Sequence, residues 1–555
     1  MEKIKKNMSE YFKDSLNKYR FVTLLIFIGV VVLLAWQSDD SYHAYAMAKN
    51  LVDGNGFVYN IGERATASSC PLFTLVVAAG YLIFRHMFLV SLLICVIFSA
   101  VSYGIIAHKI CTDRTQVLVA FFTLICSQSF ISYTTSGLEN SMLFLLATLF
   151  LKKYFESETY NAKQMLYLAI MISLIAMTRM DAVLMFIPMI LYVYLVKRDG
   201  VSFIKAVGLG VAGLMPFIIW EFFSLFYYGF FVPNTAFVKL GTNIPKREYI
   251  VRGLQYVFNT LICDPVVLFV PFIAVLILIY TRKFRYIHVA LGILLYGLYV
   301  IYIGGDFMMG RHFTVMFLMS VIGCVVFTNN ELLDKETGKI MYRSWVTRLM
   351  RATLVCCLVY SMTTNVITTQ FKFGENFNSP ISDERGTYFK FTSLFNNTIS
   401  YVTTGRMCIT DAWNDEGVQY LKQQGLNSGI LRMVPGITKY DQNDMYLNDL
   451  YALGDPYLSK LPAVREAGWR IGHMYREAPE GYEETIMYGD NYIVNESARE
   501  YYEVIKLITR GDLFDPARLK AIIDINTGKY DHLIDEYQST LNENNQQYDD
   551  EFSEK

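Results

Sequence analysis

Two neighbouring acids, Asp39 and Asp40, directly follow the first long apolar run of the chain, at residues 21–36. Adjacent carboxylates can act as a general base toward a hydroxyl group and can hold a divalent cation such as Mg²⁺, Mn²⁺ or Ca²⁺. The alternative is an ordinary solvated loop that begins where a helix ends. We favour the functional interpretation, with Asp39 and Asp40 as the catalytic acids and as metal ligands if a cation is bound.

Four further groups of polar residues lie between apolar runs of the sequence. They are Ser136-Gly137-Leu138-Glu139-Asn140, Arg179-Met180-Asp181, Pro233-Asn234-Thr235-Ala236-Phe237-Val238-Lys239 and Gly304-Gly305-Asp306-Phe307-Met308-Met309-Gly310-Arg311-His312. Ionisable groups at membrane depth are costly and usually face a cavity or a partner, so these groups indicate one shared polar cavity. Besides the acid pair, its expected members are His43, Glu139, Arg179, Asp181, Lys239, Asp306, Arg311 and His312. Lys239 and Arg311 suit a phosphate, since one is a point charge and the other a planar fork.

Each of these groups also has a purely structural interpretation. Arg179 and Asp181 could form an ion pair that only anchors the chain, and Glu139 could interact with the dipole of the helix that follows it. The pair Gly304-Gly305 could merely permit a tight turn. His312 could be a packed histidine, and Lys239 a solvated loop lysine. The sequence leaves these alternatives open.

Long apolar blocks separate the polar motifs. The chain has 555 residues, of which 53% are hydrophobic, and a run of about 20 apolar residues crosses the hydrocarbon core of a membrane. We therefore predict a polytopic α-helical membrane protein with about eleven spanning helices. The predicted spans are 21–36, 87–107, 115–133, 138–151, 164–178, 182–196, 201–223, 264–280, 287–303, 311–328 and 347–364.

The block 71–84 decides the orientation of these spans. It is only about fourteen residues long, short for a typical hydrocarbon core, so we treat it as re-entrant or interfacial. The Lys- and Arg-rich segments then share the side of the basic N-terminus: 108–114, 152–163, 197–205, 281–286 and 329–346. The positive-inside rule places that side in the cytoplasm. All the polar motifs then face outward, whereas a spanning 71–84 would invert the bias.

The composition turns polar from about residue 365, with many Asn, Asp, Glu, Tyr and Gly residues. We predict a transmembrane domain at 1–364 with its first outer loop at 37–86, an extracytoplasmic soluble domain of α/β or mixed fold at 365–540, and a disordered tail at 541–555. Helical patterns lie near 414–424, 498–509 and 516–537. A short amphipathic helix at 41–51, stopped by Gly54-Asn55-Gly56, is expected to lie on the outer surface and to roof the cavity.

Composition also argues against several classes of protein. A net charge of −1 and the lack of a basic cluster interleaved with aromatics set nucleic-acid binding aside. Of nine cysteines, only Cys408 lies in the polar C-terminal third, so no disulfide framework can form there. The competing hypotheses are a secondary transporter, which would normally show an internal repeat that this chain lacks, and a non-catalytic glycan-assembly or flippase protein.

The motifs resemble those of a known family. Asp39-Asp40-Ser41-Tyr42, the stretch 48–64 and Ser69-Cys70-Pro71-Leu72-Phe73 are similar to the first outer loop of the C-type glycosyltransferases, most closely of the mycobacterial terminal arabinofuranosyltransferases. The groups around Glu139, Lys239 and Arg311 follow in the family's order, and the segments 453–462, 469–473 and 479–482 are also similar. One departure is 64–73, where the family's Arg-Val-Glu-Gly-Tyr-Thr-Asn-Pro-Leu-Trp loses an acid and two aromatics.

The resemblance implies an enzyme of the bacterial cytoplasmic membrane that moves a sugar from a polyprenyl-phosphate donor to a cell-envelope glycan on the outer face. Arabinofuranose, a pentofuranose, is one expected donor sugar. Asp39 or Asp40 would be the general base or hold a divalent cation. The residues expected to bind the donor phosphate are Lys239, Arg311, Arg179 and Asn234. Trp469 and His473 are expected on the acceptor side, and the sequence indicates no oligomeric state.

Overall fold

The structure, a computed structural model, describes residues 13–242, 244–328, 381–413, 415–464 and 469–541, with scattered positions between 348 and 360. Most of the described residues are helical. The predicted span at 347–364 lies largely outside these ranges. The predicted tail also lies outside them, apart from Leu541, which is helical like the residues 531–540 before it.

Helices make up the part of the chain before residue 329. Their bounds are α1 Ser15–Leu33, α2 Ser41–Val52, α3 Pro71–Phe84, α4 Met87–Ile105, α5 Arg114–Ile125, α6 Gln128–Ser132, α7 Asn140–Glu156, α8 Ala162–Thr178, α9 Ile187–Leu195, α10 Phe203–Tyr228, α11 Asn234–Leu240, α12 Lys246–Cys263, α13 Pro265–Tyr280, α14 Phe284–Tyr302 and α15 Phe313–Phe327. A π-helical turn, Ile106–Ile110, extends α4, and a 3₁₀ turn, Met180–Met185, precedes α9.

Four helices among the described residues are long and apolar enough to cross a membrane: α1, α4 with its π-helical turn, α10 and α14. A fifth span results if α12 and α13, which meet at a bend of 106°, are counted together. Helices α3, α5, α8 and α15 are apolar but shorter. The chain therefore has the helical character of a membrane protein, while the total of about eleven spans stays a prediction.

Burial separates a central helix from a peripheral one. In α15 all residues but one are buried, as expected for a helix that is apolar on every side. In α10, by contrast, large apolar side chains such as Ile204 and Phe222 are 85% and 67% exposed. An apolar surface of this kind is favourable against lipid and unfavourable in water.

In the C-terminal part, from residue 381 onward, the described residues form mainly short helices around one small sheet. The helices are α16 Glu384–Thr392, α17 Leu394–Thr404, α18 Glu416–Gln423, α19 Gly436–Asp441, α20 Tyr482–Tyr488, α21 Glu496–Arg510 and α22 Pro516–Asn526. Strands β1 Ser428–Leu431 and β2 Tyr446–Asp449 pair in parallel, with Ser428 opposite Tyr446 and Leu431 opposite Asp449. The helices predicted near 414–424 and 498–509 are confirmed. The one predicted at 516–537 breaks after Asn526.

Helix α2 has the predicted length but not the predicted position. Gly54, at φ +87°, takes the left-handed conformation just beyond its end, as the sequence suggested. The helix was expected on the outer surface, and this was wrong, because Tyr42, Tyr45 and Met47 are at most 1% exposed. Helices α3 and α19 pack against it. The amphipathic pattern had indicated one buried face, whereas tertiary contacts bury both.

Polar contacts join the first loop to the C-terminal part. The Asn60 side-chain amide donates to the Leu447 carbonyl at 3.1 Å and to the Asn448 side chain at 2.8 Å. Glu63 accepts from the Arg510 guanidinium at 3.0 Å. These contacts hold the first loop against the C-terminal part.

Candidate active site

The acid pair lies in the connection between α1 and α2, which side-chain and backbone hydrogen bonds hold in place. The Gln37 side-chain amide donates to the Phe88 carbonyl at 2.9 Å. The Ser38 amide donates to the Ser136 carbonyl at 2.8 Å. The connection is thereby fixed to α4 and to the loop before α7, so the two acids have defined directions.

Asp39 is bound on both of its carboxylate oxygens. The Gly436 amide donates to Oδ2 at 2.9 Å and the Ile437 amide donates to Oδ1 at 3.0 Å. Burial raises the pKa of Asp39, while the charge of His43 and the two backbone bonds oppose that shift. Asp39 therefore connects the first loop to α19 and has little hydrogen-bonding capacity left for a substrate.

The close approach of α19 requires glycine at its first residue. A Cβ atom on Gly436 would lie 2.3 Å from the Asp39 carbonyl oxygen and 3.2 Å from the His43 backbone nitrogen. Both contacts are with backbone atoms, which cannot rotate away as a side chain can. Any larger residue would push α19 off the acid pair.

Asp40 has the opposite environment. It occupies the position before α2 without capping the helix, and no hydrogen bond or ion pair joins its carboxylate to another described residue. Burial raises the pKa of Asp40, and the positive charges of Arg311, Lys239 and Arg470 oppose that shift. The carboxylate therefore has no partner among the described residues, it experiences the charges of three cations and of Asp306, and it is a better proton acceptor than an ordinary aspartate.

A narrow cavity opens in front of the acid pair. Its walls come from the first loop, the loop before α15 and the C-terminal part, and the side chains that line it include Asp39, Asp40, His43, Phe307, Glu384, Tyr388, Asp449, Tyr451, Arg470 and His473. The cavity has a volume of about 40 Å³, enough for roughly three water molecules. In this conformation it admits an ion or a hydroxyl group but no sugar ring.

Asp39, Asp40 and His43 could together hold a cation. One ligand atom from each lies within 4.8 Å of the others, a spacing that a single divalent ion can bridge. The His43 ring is oriented by the Tyr59 hydroxyl, 3.0 Å from Nδ1. The fit depends mainly on Asp40, because both oxygens of Asp39 already accept backbone hydrogen bonds.

Behind the cavity, Glu139 lies between two arginines. Its Oε1 accepts from Arg311 at 2.9 Å and from Arg179 at 3.1 Å, and its Oε2 accepts from Arg311 at 3.1 Å. Glu139 is buried. Its role is therefore to compensate the two cations, and it does not cap α7 with its side chain.

Three further predicted residues complete this ionic cluster. Arg179 also binds Asp181 at 2.8 Å and the His312 ring at 3.0 Å. Oδ2 of Asp306 lies 3.5 Å from both Arg311 and His312. The structure thus brings together the polar motifs of three separate connections. Arg179 and Asp181 do form an ion pair, and that pair belongs to the cluster beside the cavity.

The remaining predicted residues divide into two groups. The positive charge of Lys239 lowers the pKa of Asp40. His473 lines the cavity, and burial together with the charge of Arg470 lowers the pKa of its ring to about 3. Trp469 instead packs against Tyr249, with ring centroids 5.3 Å apart, and does not line the cavity. Asn234 is buried at the start of α11, also outside the cavity lining.

Several cavity residues were not predicted from the sequence. Glu384 and Tyr388, one turn apart on α16, face the acid pair, and Asp449 ends β2. Burial and the charges of Asp40 and Asp39 raise the pKa of Glu384 well above its usual value. Arg470 lies inside a motif already noted for its resemblance and could have been named from it. Glu384 carried no such signal.

Comparison with known proteins gave no match to this chain among family models, curated proteins or solved structures. The resemblance to the C-type glycosyltransferases stays an interpretation of the sequence. The arrangement in the structure can do specific chemistry in its own right: an unpaired carboxylate can accept a proton, and the cations around it can stabilise an anion.

We predict that Glu139→Gln destabilises the protein strongly. The substitution removes the buried carboxylate that bridges Arg179 and Arg311 and breaks its ion pairs with both, and loss of one partner of a buried ion pair costs about 3–5 kcal/mol. The measurement is the midpoint of thermal unfolding of the full-length protein in detergent, which should fall by several degrees or more.

The matched control is Glu156→Gln. Glu156 pairs with Lys152 and Lys153 at 3.2 and 2.9 Å on the exposed end of α7, where such pairs contribute about 0–1 kcal/mol. Its midpoint should change little. Equal midpoints for the Glu139 and Glu156 variants would show that the buried cluster is not a stabilising unit.

We predict that Glu384 makes stability depend on pH. In the folded protein Glu384 keeps its proton at pH values where the unfolded carboxyl is ionised, so its contribution is present at low pH and decreases as pH rises toward the folded pKa. Glu384→Gln is neutral at every pH and lacks this loss. Thermal midpoints between pH 5 and pH 8 should therefore rise for the variant relative to wild type as pH increases.

Glu416→Gln, at an exposed position in α18, is the matched control and should keep the wild-type pH profile. Parallel profiles for wild type and Glu384→Gln would mean that Glu384 ionises normally in the folded protein.

Proposed function

We propose that this chain is a membrane glycosyltransferase of the C type, which transfers a sugar from a polyprenyl-phosphate donor to a cell-envelope glycan. The observation that carries the proposal is the environment of Asp40: an unpaired carboxylate on a buried cavity, with Lys239, Arg311 and Arg470 acting on its charge. A base next to a cationic surface is what glycosyl transfer from a phosphate requires.

Asp40 is the general base in the proposed reaction. Its carboxylate accepts the proton of the acceptor hydroxyl, whose oxygen forms a bond to the anomeric carbon of the donor sugar. The bond from that carbon to the phosphate oxygen breaks, and the electron pair leaves with the polyprenyl phosphate. The raised pKa of Asp40 makes its carboxylate a stronger proton acceptor than an ordinary aspartate.

Lys239 and Arg470 are the proposed partners of the leaving phosphate. Arg311 already binds both oxygens of Glu139, so its charge is largely compensated. Arg470 contacts the Ser382 hydroxyl at 3.3 Å and the Phe307 ring at 5.3 Å, which orient it without neutralising it. A phosphate between Lys239 and Arg470 would lie against the cavity that contains the base.

A divalent cation fits the group Asp39, Asp40 and His43, as the distances above allow. When bound, such an ion would neutralise charge on the donor phosphate. Asp40 and His43 would be its main ligands from the protein, since the Asp39 oxygens are engaged by Gly436 and Ile437, and Asp40 would then serve as a metal ligand in place of the general base.

Substrate binding requires the cavity to enlarge. A volume of about 40 Å³ excludes a sugar, and the segment that closes it, Met433 to Ile437, is attached to the acid pair through backbone bonds at Gly436 and Ile437. We propose that this segment moves away from the bundle when the donor binds. The two hydrogen bonds from Gly436 and Ile437 to Asp39 would then stabilise the closed conformation of the cavity.

The proposal includes an arrangement in the membrane. About eleven spans, a cytoplasmic N-terminus and a C-terminal part on the outer face put the acid pair at the level where a polyprenyl phosphate presents its sugar. The exposed apolar surface of α10 supports a lipid environment on that side of the bundle. Arabinofuranose is the donor sugar that the sequence resemblance suggests.

Asp40→Asn should lower the transfer rate by roughly 10²–10⁴, the usual contribution of a general base. The variant keeps the size of the side chain and removes its proton acceptor. The assay uses the full-length protein in detergent, radiolabelled polyprenyl-phosphate sugars that include the arabinofuranose donor, and the envelope glycan of a deletion strain as acceptor.

Asp53→Asn is the matched control. Asp40 directly precedes α2 and Asp53 directly follows it, but Asp53 is paired with Arg85 at the surface. It should transfer at the wild-type rate. Equal rates for Asp40→Asn and wild type would remove Asp40 from the mechanism. No transfer by the wild-type protein with any donor would contradict the enzyme itself.

A further inference from the structure

A second cavity lies beside the first and opens to the surface of the C-terminal part. It has a volume of about 390 Å³ and is lined by Asp415, Gly417, Leu431, Arg432, Met433 and Tyr451. We call these residues the outer groove. Small-molecule sites typically have volumes of about 300–1,000 Å³, so the outer groove can hold a ligand that the narrow inner cavity cannot.

The outer groove lies where the two parallel strands end. Leu431 is the last residue of β1 and is followed by Arg432 and Met433, whereas Tyr451 comes two residues after the end of β2. Loops at the carboxyl ends of parallel strands are free to vary without disturbing the pairing, and ligands commonly bind there. The groove is thus on the part of the small sheet best suited to recognition.

The polar side chains of the groove are available for a ligand. Arg432 is exposed, and no hydrogen bond or ion pair joins its guanidinium, or the Tyr451 hydroxyl, to another described residue. Asp415 uses Oδ1 to cap α18 through the Val418 amide at 3.1 Å, which leaves Oδ2. The carboxylate of Asp415 and the guanidinium of Arg432 have opposite charges and the Tyr451 phenol is neutral, so the groove has no net charge.

Tyr451 and Met433 connect the groove to the inner cavity, since both line the two spaces. The Tyr451 ring packs on His473 with centroids 5.3 Å apart, and His473 packs edge-on against Phe307 at 4.5 Å. A row of rings therefore leads from the groove into the lining of the first cavity, which Asp40 shares. A chain-like ligand could lie in the groove and reach the base with its end.

We infer that the outer groove binds a neutral saccharide, namely the part of the acceptor glycan behind the reacting hydroxyl. The inference rests on the proposed function. Sugar rings present apolar faces that stack on aromatic side chains, and hydroxyls that pair with arginine and carboxylate groups. Because the charges of the outer groove balance, an uncharged glycan suits it better than a phosphate. Lys239 and Arg470, the proposed phosphate partners, are better placed for a phosphate.

The test measures saccharide binding without any donor. Octyl glycosides of arabinofuranose, galactofuranose, mannose and rhamnose, each as a monosaccharide and a tetrasaccharide, are titrated into the full-length protein in detergent by calorimetry. At least one tetrasaccharide should bind more tightly than its monosaccharide. Tyr451→Ala should raise that Kd about threefold to tenfold, and Arg432→Gln about tenfold.

Tyr420→Ala and Arg499→Ala are matched controls at exposed positions outside the groove, and both should keep the wild-type Kd. Arg432→Gln changes only a surface side chain, so its effect does not depend on whether Tyr451→Ala folds fully. An unchanged Kd for Arg432→Gln and Tyr451→Ala, or no binding of any tetrasaccharide to wild type, overturns the inference.

The transfer assay separates this inference from the proposed function. If the wild-type protein transfers sugar while Arg432→Gln and Tyr451→Ala keep the wild-type Kd for the tetrasaccharide, the enzyme function is supported and saccharide binding by the outer groove is contradicted. If the protein transfers no sugar but binds a tetrasaccharide through Arg432 and Tyr451, the proposed enzyme function is contradicted and saccharide binding by the outer groove is supported.

Discussion

The contact between Asp39 and the start of α19 is the constraint on which the site depends. It joins Asp39 to Gly436 and Ile437, which are 397 and 398 positions later in the chain. Because the donors are backbone amides, the contact fixes the position of the backbone at the start of α19. A buried carboxylate is costly unless its oxygens are hydrogen-bonded. The C-terminal part therefore has to lie on the first loop for Asp39 to be buried, and the cavity exists only where the two meet.

The ionic cluster around Glu139 lies behind that cavity and does not line it. Glu139, Arg179 and Arg311 come from three different connections between helices, and their mutual charge compensation holds those connections together. This explains why a site made of distant loops can be rigid on the bundle side. On the other side the wall is the segment after β1, whose Gly436 and Ile437 amides bind Asp39. The bundle side positions the charges, and the C-terminal side controls access.

The sequence predicted the features that follow from local patterns. Helix α2 has the predicted ends because hydrophobic spacing and Gly54 act within a few residues. The charged groups of the inner cluster were predicted because ions between apolar blocks need partners. Burial of α2 could not be predicted, since it depends on α19, nearly 400 residues later. Glu384 was missed for the same reason: only tertiary contact places it beside the acid pair.

The different roles of the two neighbouring acids also required the structure. In the sequence, Asp39 and Asp40 are equivalent candidates for base and metal ligand. In the fold, consecutive residues at a helix start point in different directions, so Asp39 meets the amides of α19 while Asp40 faces the cavity. A carboxylate held by two donors is a poor base, because protonation would break bonds that stabilise its charged form. Asp40 makes no such hydrogen bonds with the described residues, so its protonation would break none. One acid of the pair thus organises the site, which leaves the other free to react.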